Sequence, residues 1–176
     1  MVDARLLSEK VLAELQYDYR YFSIDHFIHW LEQKKGRKIF STPHDFPAGS
    51  FGTWFTDAEE PYEYIFYRNN VPPIYQIHNQ LHELAHFLLG HPTIHITRKF
   101  LAEVLRGERE LPFNEYALLR STDKRTDERY IRELEAETLA SVIQEKVIRS
   151  SQLDQLTSGI SSEKNIANYL EHLGMI

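Results

Sequence analysis

The sequence predicts an α+β domain, rich in helix, with one small and mostly antiparallel sheet. Three observations point there. Apolar residues recur at helical spacing in five or so segments, two aromatic-rich segments bracket a charged turn, and no internal repeat or compositional break divides the chain. At 176 residues the chain can fill one well-packed domain but is too short for two ordinary ones. We read 1–176 as a single unit with a helical N-terminal part (1–36), a central core (37–149) and a polar linker with a C-terminal helix (150–176).

Leu6, Leu7, Val11, Leu12 and Leu15 mark a first amphipathic helix over about 4–16. Ser23 is a suitable N-cap for a second, whose apolar stripe is Ile24, Phe27, Ile28 and Leu31 and whose stop is Gly36. A β region begins at Arg37–Phe40, and Pro43, Pro47 and Gly49 mark a loop after it. Phe51–Thr56 and Tyr62–Tyr67 read as antiparallel strands joined through Asp57-Ala58-Glu59-Glu60-Pro61. Pro72 and Pro73 suit the start of a helix that runs to Leu89 and stops at Gly90. A short helix over about 97–106, a loop-rich connector to about 126, a long helix over about 127–149, a polar linker over Ser150–Ser162 and a last helix over about 163–173 complete the expectation.

Composition excludes several functions. The chain has no cysteine, which removes disulfides, thiolate metal sites and cysteine nucleophiles. A net charge of −6 argues against direct nucleic-acid binding, because phosphate contacts need a basic face. The run Lys34-Lys35-Gly36-Arg37-Lys38 reads as a solvated helix end. No stretch reaches the roughly 18 apolar residues of a membrane helix, and Met1–Gln16 lacks the layout of a signal peptide. A cytoplasmic location is expected. We find no phosphate-binding glycine loop and no serine-nucleophile motif.

Histidine is the exceptional residue: of nine, five fall between His78 and His95. His82-Glu83-Leu84-Ala85-His86 lies within the helix after Pro73. Residues four apart share a helical face, so both imidazoles can reach one ion, while Glu83 sits one step round, placed to act on water without itself coordinating. This is a zinc-hydrolase arrangement with Glu83 as general base. A third protein ligand is needed. The metzincin pattern would require Gly at 89 and His at 92, where this chain has Leu89 and Pro92. His91 lies beyond the Gly90 stop, and it and His95 read as loop histidines. Glu133 is the better candidate, on a helix carrying Glu137 one turn on and small Ala136 between them, where two helices can approach. Glu137 is then placed to accept a hydrogen bond from a ligand histidine. Glu135 lies off that face. His78 extends the histidine stripe, as a second-shell or cleft-lining residue. Tyr116, Tyr130, His78 and Arg132 are candidate oxyanion stabilisers that the sequence does not rank.

The segment Gln80–His91, the strand-like Ile65-Phe66-Tyr67-Arg68-Asn69-Asn70 before it and Glu133-Leu134-Glu135-Ala136-Glu137 resemble the ImmA/IrrE family of metallopeptidase-like proteins. The resemblance spans about 37–145 and is closest at the two motifs. It implies a zincin-like domain with a small sheet packed on the metal-binding helix, His82, His86 and Glu133 as zinc ligands and Glu83 as general base. Three features depart from the family. Val142-Ile143-Gln144-Glu145-Lys146 replaces the usual Leu-Leu-Met-Pro ending, Glu137 stands where Asn or Asp is usual, and the stretch from His86 to Glu133 is longer, leaving room for an added lid or partner-binding element in 91–130.

Members of this family act as regulators that cleave, or are proposed to cleave, a helix-turn-helix repressor. This chain carries no helix-turn-helix of its own, so such a partner would be a separate polypeptide. A protein substrate could lie extended along the sheet edge. Trp54, Phe55 and Tyr67 could then line side-chain pockets, or fill the sheet core as strand aromatics usually do. Two rival readings stand beside hydrolysis. One is a non-proteolytic zinc-binding sensor or interaction module, with His78 or His91 as a fourth ligand. The other is an antitoxin-like or repressor-binding subunit whose site has decayed.

Overall fold

A computed structural model describes residues 3–46, 49–112 and 126–158 together with Glu171, His172 and Gly174. The first helix, α1 (Ala4–Leu15), starts where Asp3 accepts a hydrogen bond from the Arg5 amide. A single 3-10 turn at Tyr19–Tyr21 leads to α2 (Ile24–Lys35), where the Ser23 hydroxyl accepts from the His26 amide. Asp25 in the first turn of α2 and Lys34 and Lys35 in the last complement the helix dipole, and Gly36 ends it in the left-handed conformation at φ 64°.

Four strands follow in the order of the chain: β1 (Lys38–His44), β2 (Gly52–Asp57), β3 (Tyr62–Arg68) and, after a helix, β4 (Ile94–Ile96). In space they run β1-β3-β2-β4. The β2–β3 hairpin is antiparallel as expected, but β1 lies parallel to β3 and β4 parallel to β2. The sheet is therefore mixed, which corrects the mostly antiparallel expectation. The local turn signal at Asp57–Pro61 fixes only the hairpin, whereas both outer strands dock through non-local pairing. Pro43, expected in a loop, sits in β1 at the sheet edge, where its missing N–H leaves no ladder bond unmade.

The two faces of the sheet bury different sets. Ile39, Trp54 and Ile65 join α1, α2 and the long helices in the main core. Phe55, Tyr64 and Phe66 form a second cluster with Phe46, Ile96, Val104 and Leu111, closed by α4 (Arg98–Leu105). Trp54 and Phe55 are 5% and 0% exposed. They fill core rather than pockets, and Tyr67 is half-buried.

Helix α3 (Pro73–Leu89) runs between the sheet and α5 (Thr126–Ser158). Leu81, Leu84 and Ala85 bury its inner flank, and Ala136, Leu139, Ala140, Ile143 and Val147 form the matching stripe of α5 at helical spacing. Ala136 and Ala140 are fully buried, so the two helices pack closely at these small residues. Helix α5 continues through Ser158, correcting the linker expected from Ser150. The Ser and Gln residues there are polar but contain no breaker, and the first glycine is Gly159. Apart from Glu171 and His172, the helix expected over about 163–173 lies outside the described residues, as does most of the connector before α5.

Candidate metal centre

Helix α3 presents His78, His82 and His86 at successive turns, and α5 presents Glu133, Glu137 and Gln144 to them. His82, His86 and Glu133 converge. The Nε2 atoms of the two histidines lie 3.1 Å apart, and Glu133 Oε2 is 3.3 Å from His82 Nε2 and 3.7 Å from His86 Nε2. A tetrahedral zinc ion with ligands at about 2.0–2.1 Å spaces its ligand atoms about 3.3 Å apart. The donor set of two imidazoles and one carboxylate therefore fits zinc in both chemistry and spacing, and its ligand atoms all lie within 4.8 Å of one another.

Electrostatics favour a cation at that point. Burial opposes a positive charge on His82, but the Glu133 and Glu137 carboxylates outweigh it and hold its pKa up to about 9. Glu137 accepts from His78 Nε2 at 3.1 Å and from His82 Nδ1 at 3.2 Å, and these hydrogen bonds hold its carboxyl far below the usual range. His78 also reaches Gln144 Oε1 through Nδ1 at 3.1 Å. Its bond to Glu137, against the cost of burial, raises its pKa.

Glu83 is 3% exposed and packs over β2. It lines a cavity of about 600 Å3 together with His82, Glu133, Glu137, Gly52 and Asn79. Gly52 is what admits it: a Cβ there would lie 2.9 Å from Glu83 Oε1 and 3.0 Å from its Cγ.

The remaining candidates are placed as follows. Glu137 and His78 stand behind His82, as just described. Tyr130 is 68% exposed and does not line the cavity, Arg132 donates to the Glu128 carbonyl oxygen, and Tyr116 lies outside the described residues. His91 lies in the loop after α3, as read, and packs on His86. Glu135, read as pointing away, lies 3.2 Å from His91 Nε2. His95 falls within β4 and is exposed.

Three residues escaped the sequence reading. Asn79 is 8% exposed, and its Nδ2 has no hydrogen-bond partner among the described residues. It stands one helical turn before Glu83, a spacing that could have flagged it. Arg129, also on the cavity wall, lies one turn before Glu133 on α5. Gly52 carries no local signal, because its role depends on a helix from another part of the chain. Compared with known proteins, the chain matches no family model, no curated protein and no solved structure. Fold and site alone define its class: an α+β domain with a cluster of two histidines and one carboxylate that could hold a metal ion.

Proposed function

We propose that this chain is a zinc-dependent metallopeptidase-like protein of the ImmA/IrrE type, hydrolysing a peptide bond in a regulatory protein such as a separate helix-turn-helix repressor. The observation that carries the reading is the convergence of His82, His86 and Glu133 at near-tetrahedral spacing, with Glu83 buried in the cavity that His82 and Glu133 also line. When bound, zinc supplies Lewis acidity that polarises a carbonyl and lets water ionise near neutral pH.

The chain's own residues do the rest. Glu83 takes the proton from the attacking water and delivers it to the leaving amine nitrogen as the C–N bond breaks. Its burial keeps bulk water from competing for that proton. Glu137 holds His82 in the tautomer that leaves Nε2 free to coordinate. Asn79 lines the same cavity one helical turn before Glu83, and a small shift of its buried amide would bring the unpartnered Nδ2 to a substrate carbonyl oxygen. Strand β4 pairs only with Phe55–Asp57 and Thr93 donates its hydroxyl to the Trp54 carbonyl, so on that side it is Gly52–Thr53 of β2, next to the site, that has no strand partner among the described residues. An extended peptide can pair there, with Phe51 and Tyr75 on the cavity wall.

The module reading calls for a fourth protein ligand, but its two candidates are engaged elsewhere. His78 bonds Glu137 and Gln144, and His91 bonds the outer nitrogen of His86. This supports an open fourth position and hence hydrolysis. Glu83→Gln tests the proposal: it should keep stoichiometric zinc and abolish cleavage, and normal cleavage by that variant refutes it.

A further inference from the structure

The outer side of His86 holds a chain of polar groups that the proposed reaction does not use. His86 Nδ1 lies 2.8 Å from His91 Nδ1, and His91 Nε2 lies 3.2 Å from Glu135 Oε2. The two rings meet edge-on with centroids 4.9 Å apart. All three groups are largely shielded: the side chains of His86, His91 and Glu135 are 2%, 9% and 17% exposed.

The backbone builds this arrangement. Gly90 takes the left-handed conformation at φ 67°, its N–H bonds the Phe87 carbonyl at 3.2 Å, and the His91 N–H bonds the His86 carbonyl at 3.0 Å. This pair of bonds is a Schellman turn, which reverses the chain immediately after α3 and carries His91 back over His86. Glycine takes that φ without the penalty a Cβ would bring.

Tautomers then follow from chemistry. A neutral imidazole that offers the Nε2 lone pair to a cation carries its hydrogen on Nδ1 and needs an acceptor there. For His82 that acceptor is Glu137. His86 is too deeply buried for water to serve, and the acceptor in place is His91 Nδ1. His91, accepting at Nδ1, carries its own hydrogen on Nε2 and donates it to Glu135. The direction of every hydrogen in the chain is thereby fixed.

We infer that His91 and Glu135 form a positioning relay that locks the tautomer and ring orientation of His86, so that its Nε2 lone pair points at the cation. The inference rests on the zinc-site reading above. His91 is a positioning residue and touches neither metal nor substrate.

Zinc affinity of the full chain, measured by chelator competition at fixed pH, tests it, with the visible spectrum of the cobalt-substituted protein as a second readout. His91→Phe keeps the ring packing and removes the acceptor. It should weaken zinc binding about 10- to 100-fold and alter the cobalt spectrum. His91→Asn sets its amide oxygen where Nδ1 stood but does not reach Glu135, so it should weaken binding no more than Glu135→Leu does. Glu135→Leu, which leaves His91 in place, should weaken binding several-fold and decides the matter if His91→Phe does not fold. Wild-type affinity in either His91→Phe or Glu135→Leu overturns the relay alone, as does a His91→Asn variant as weak as His91→Phe. A wild-type chain that takes up no stoichiometric zinc overturns the metal-site reading and the relay with it.

Discussion

Replacing Gly52 with alanine sets a methyl carbon 2.9 Å from Glu83 Oε1, 3.0 Å from its Cγ and 3.2 Å from the Phe66 carbonyl oxygen. Favourable carbon contacts lie at about 3.5–4.0 Å, so the Glu83 side chain has to retreat by about 0.5–1 Å. The Phe66 carbonyl belongs to β3 and yields less readily than a side chain. Gly52 does not adopt positive φ, so the substitution adds no left-handed strain, and its effect comes from the contact. Overpacking costs about 1–3 kcal/mol, offset by about 0.5–1 kcal/mol because alanine loses less freedom than glycine in a strand. The net stability loss is then about 0–2.5 kcal/mol. Catalysis is more sensitive, since a displacement of about 1 Å in a reacting group costs about 100-fold. Urea unfolding, zinc content and peptide turnover should be measured on the same preparation. The expected result is a folded protein with one zinc and turnover reduced about 100-fold. Turnover by Gly52→Ala at the wild-type rate refutes the placement of Glu83 as the base.

Two further outcomes follow from the charges and the orphaned donor. In metal-free protein His82 is raised from its ordinary 6.5 to about 9, so its contribution to stability is complete below pH 6.5 and is lost as pH rises through about 9. Glu137 is shifted the other way, chiefly by its bonds to His78 and His82, and its contribution is present above its ordinary 4.5 and lost in acid. Metal-free melting temperature should therefore fall between pH 6.5 and 9, while zinc affinity rises up to about tenfold per pH unit over that range as His82 gives up its proton; a flat affinity profile contradicts this. Asn79→Leu removes a buried donor that bonds nothing among the described residues. Its thermal stability should be unchanged or higher by about 1–3 kcal/mol while turnover falls. A clear loss of stability would show that the amide has a partner within the fold.

Much of this arrangement is legible in the sequence because its signals are local. Ser23 and Gly36 bound α2, the two prolines and Gly90 bound α3, and helical spacing alone puts His82 and His86 on one face. Glu133 becomes readable once a two-histidine face lacks a third donor and Ala136 offers a close approach. What stays hidden depends on contacts between distant segments. The parallel docking of β1 and β4 has no turn signal, and β4 is too short to show a pattern. The space that Gly52 leaves for Glu83 and the meeting of Glu135 with His91 exist only after α3, α5 and the sheet have packed. His91 was within reach, since a histidine directly after a left-handed glycine stop folds back over the last helical turn.

Hydrolysis at this site requires that two imidazoles and one carboxylate hold a single zinc with room left for water. A crystal structure of the zinc-loaded chain, with anomalous data collected at the zinc edge, addresses it directly. The expected result is one peak about 2.0–2.1 Å from His82 Nε2, His86 Nε2 and a Glu133 oxygen, with a water on the fourth position facing Glu83. A peak elsewhere, or a fourth protein ligand closing the site, would contradict it.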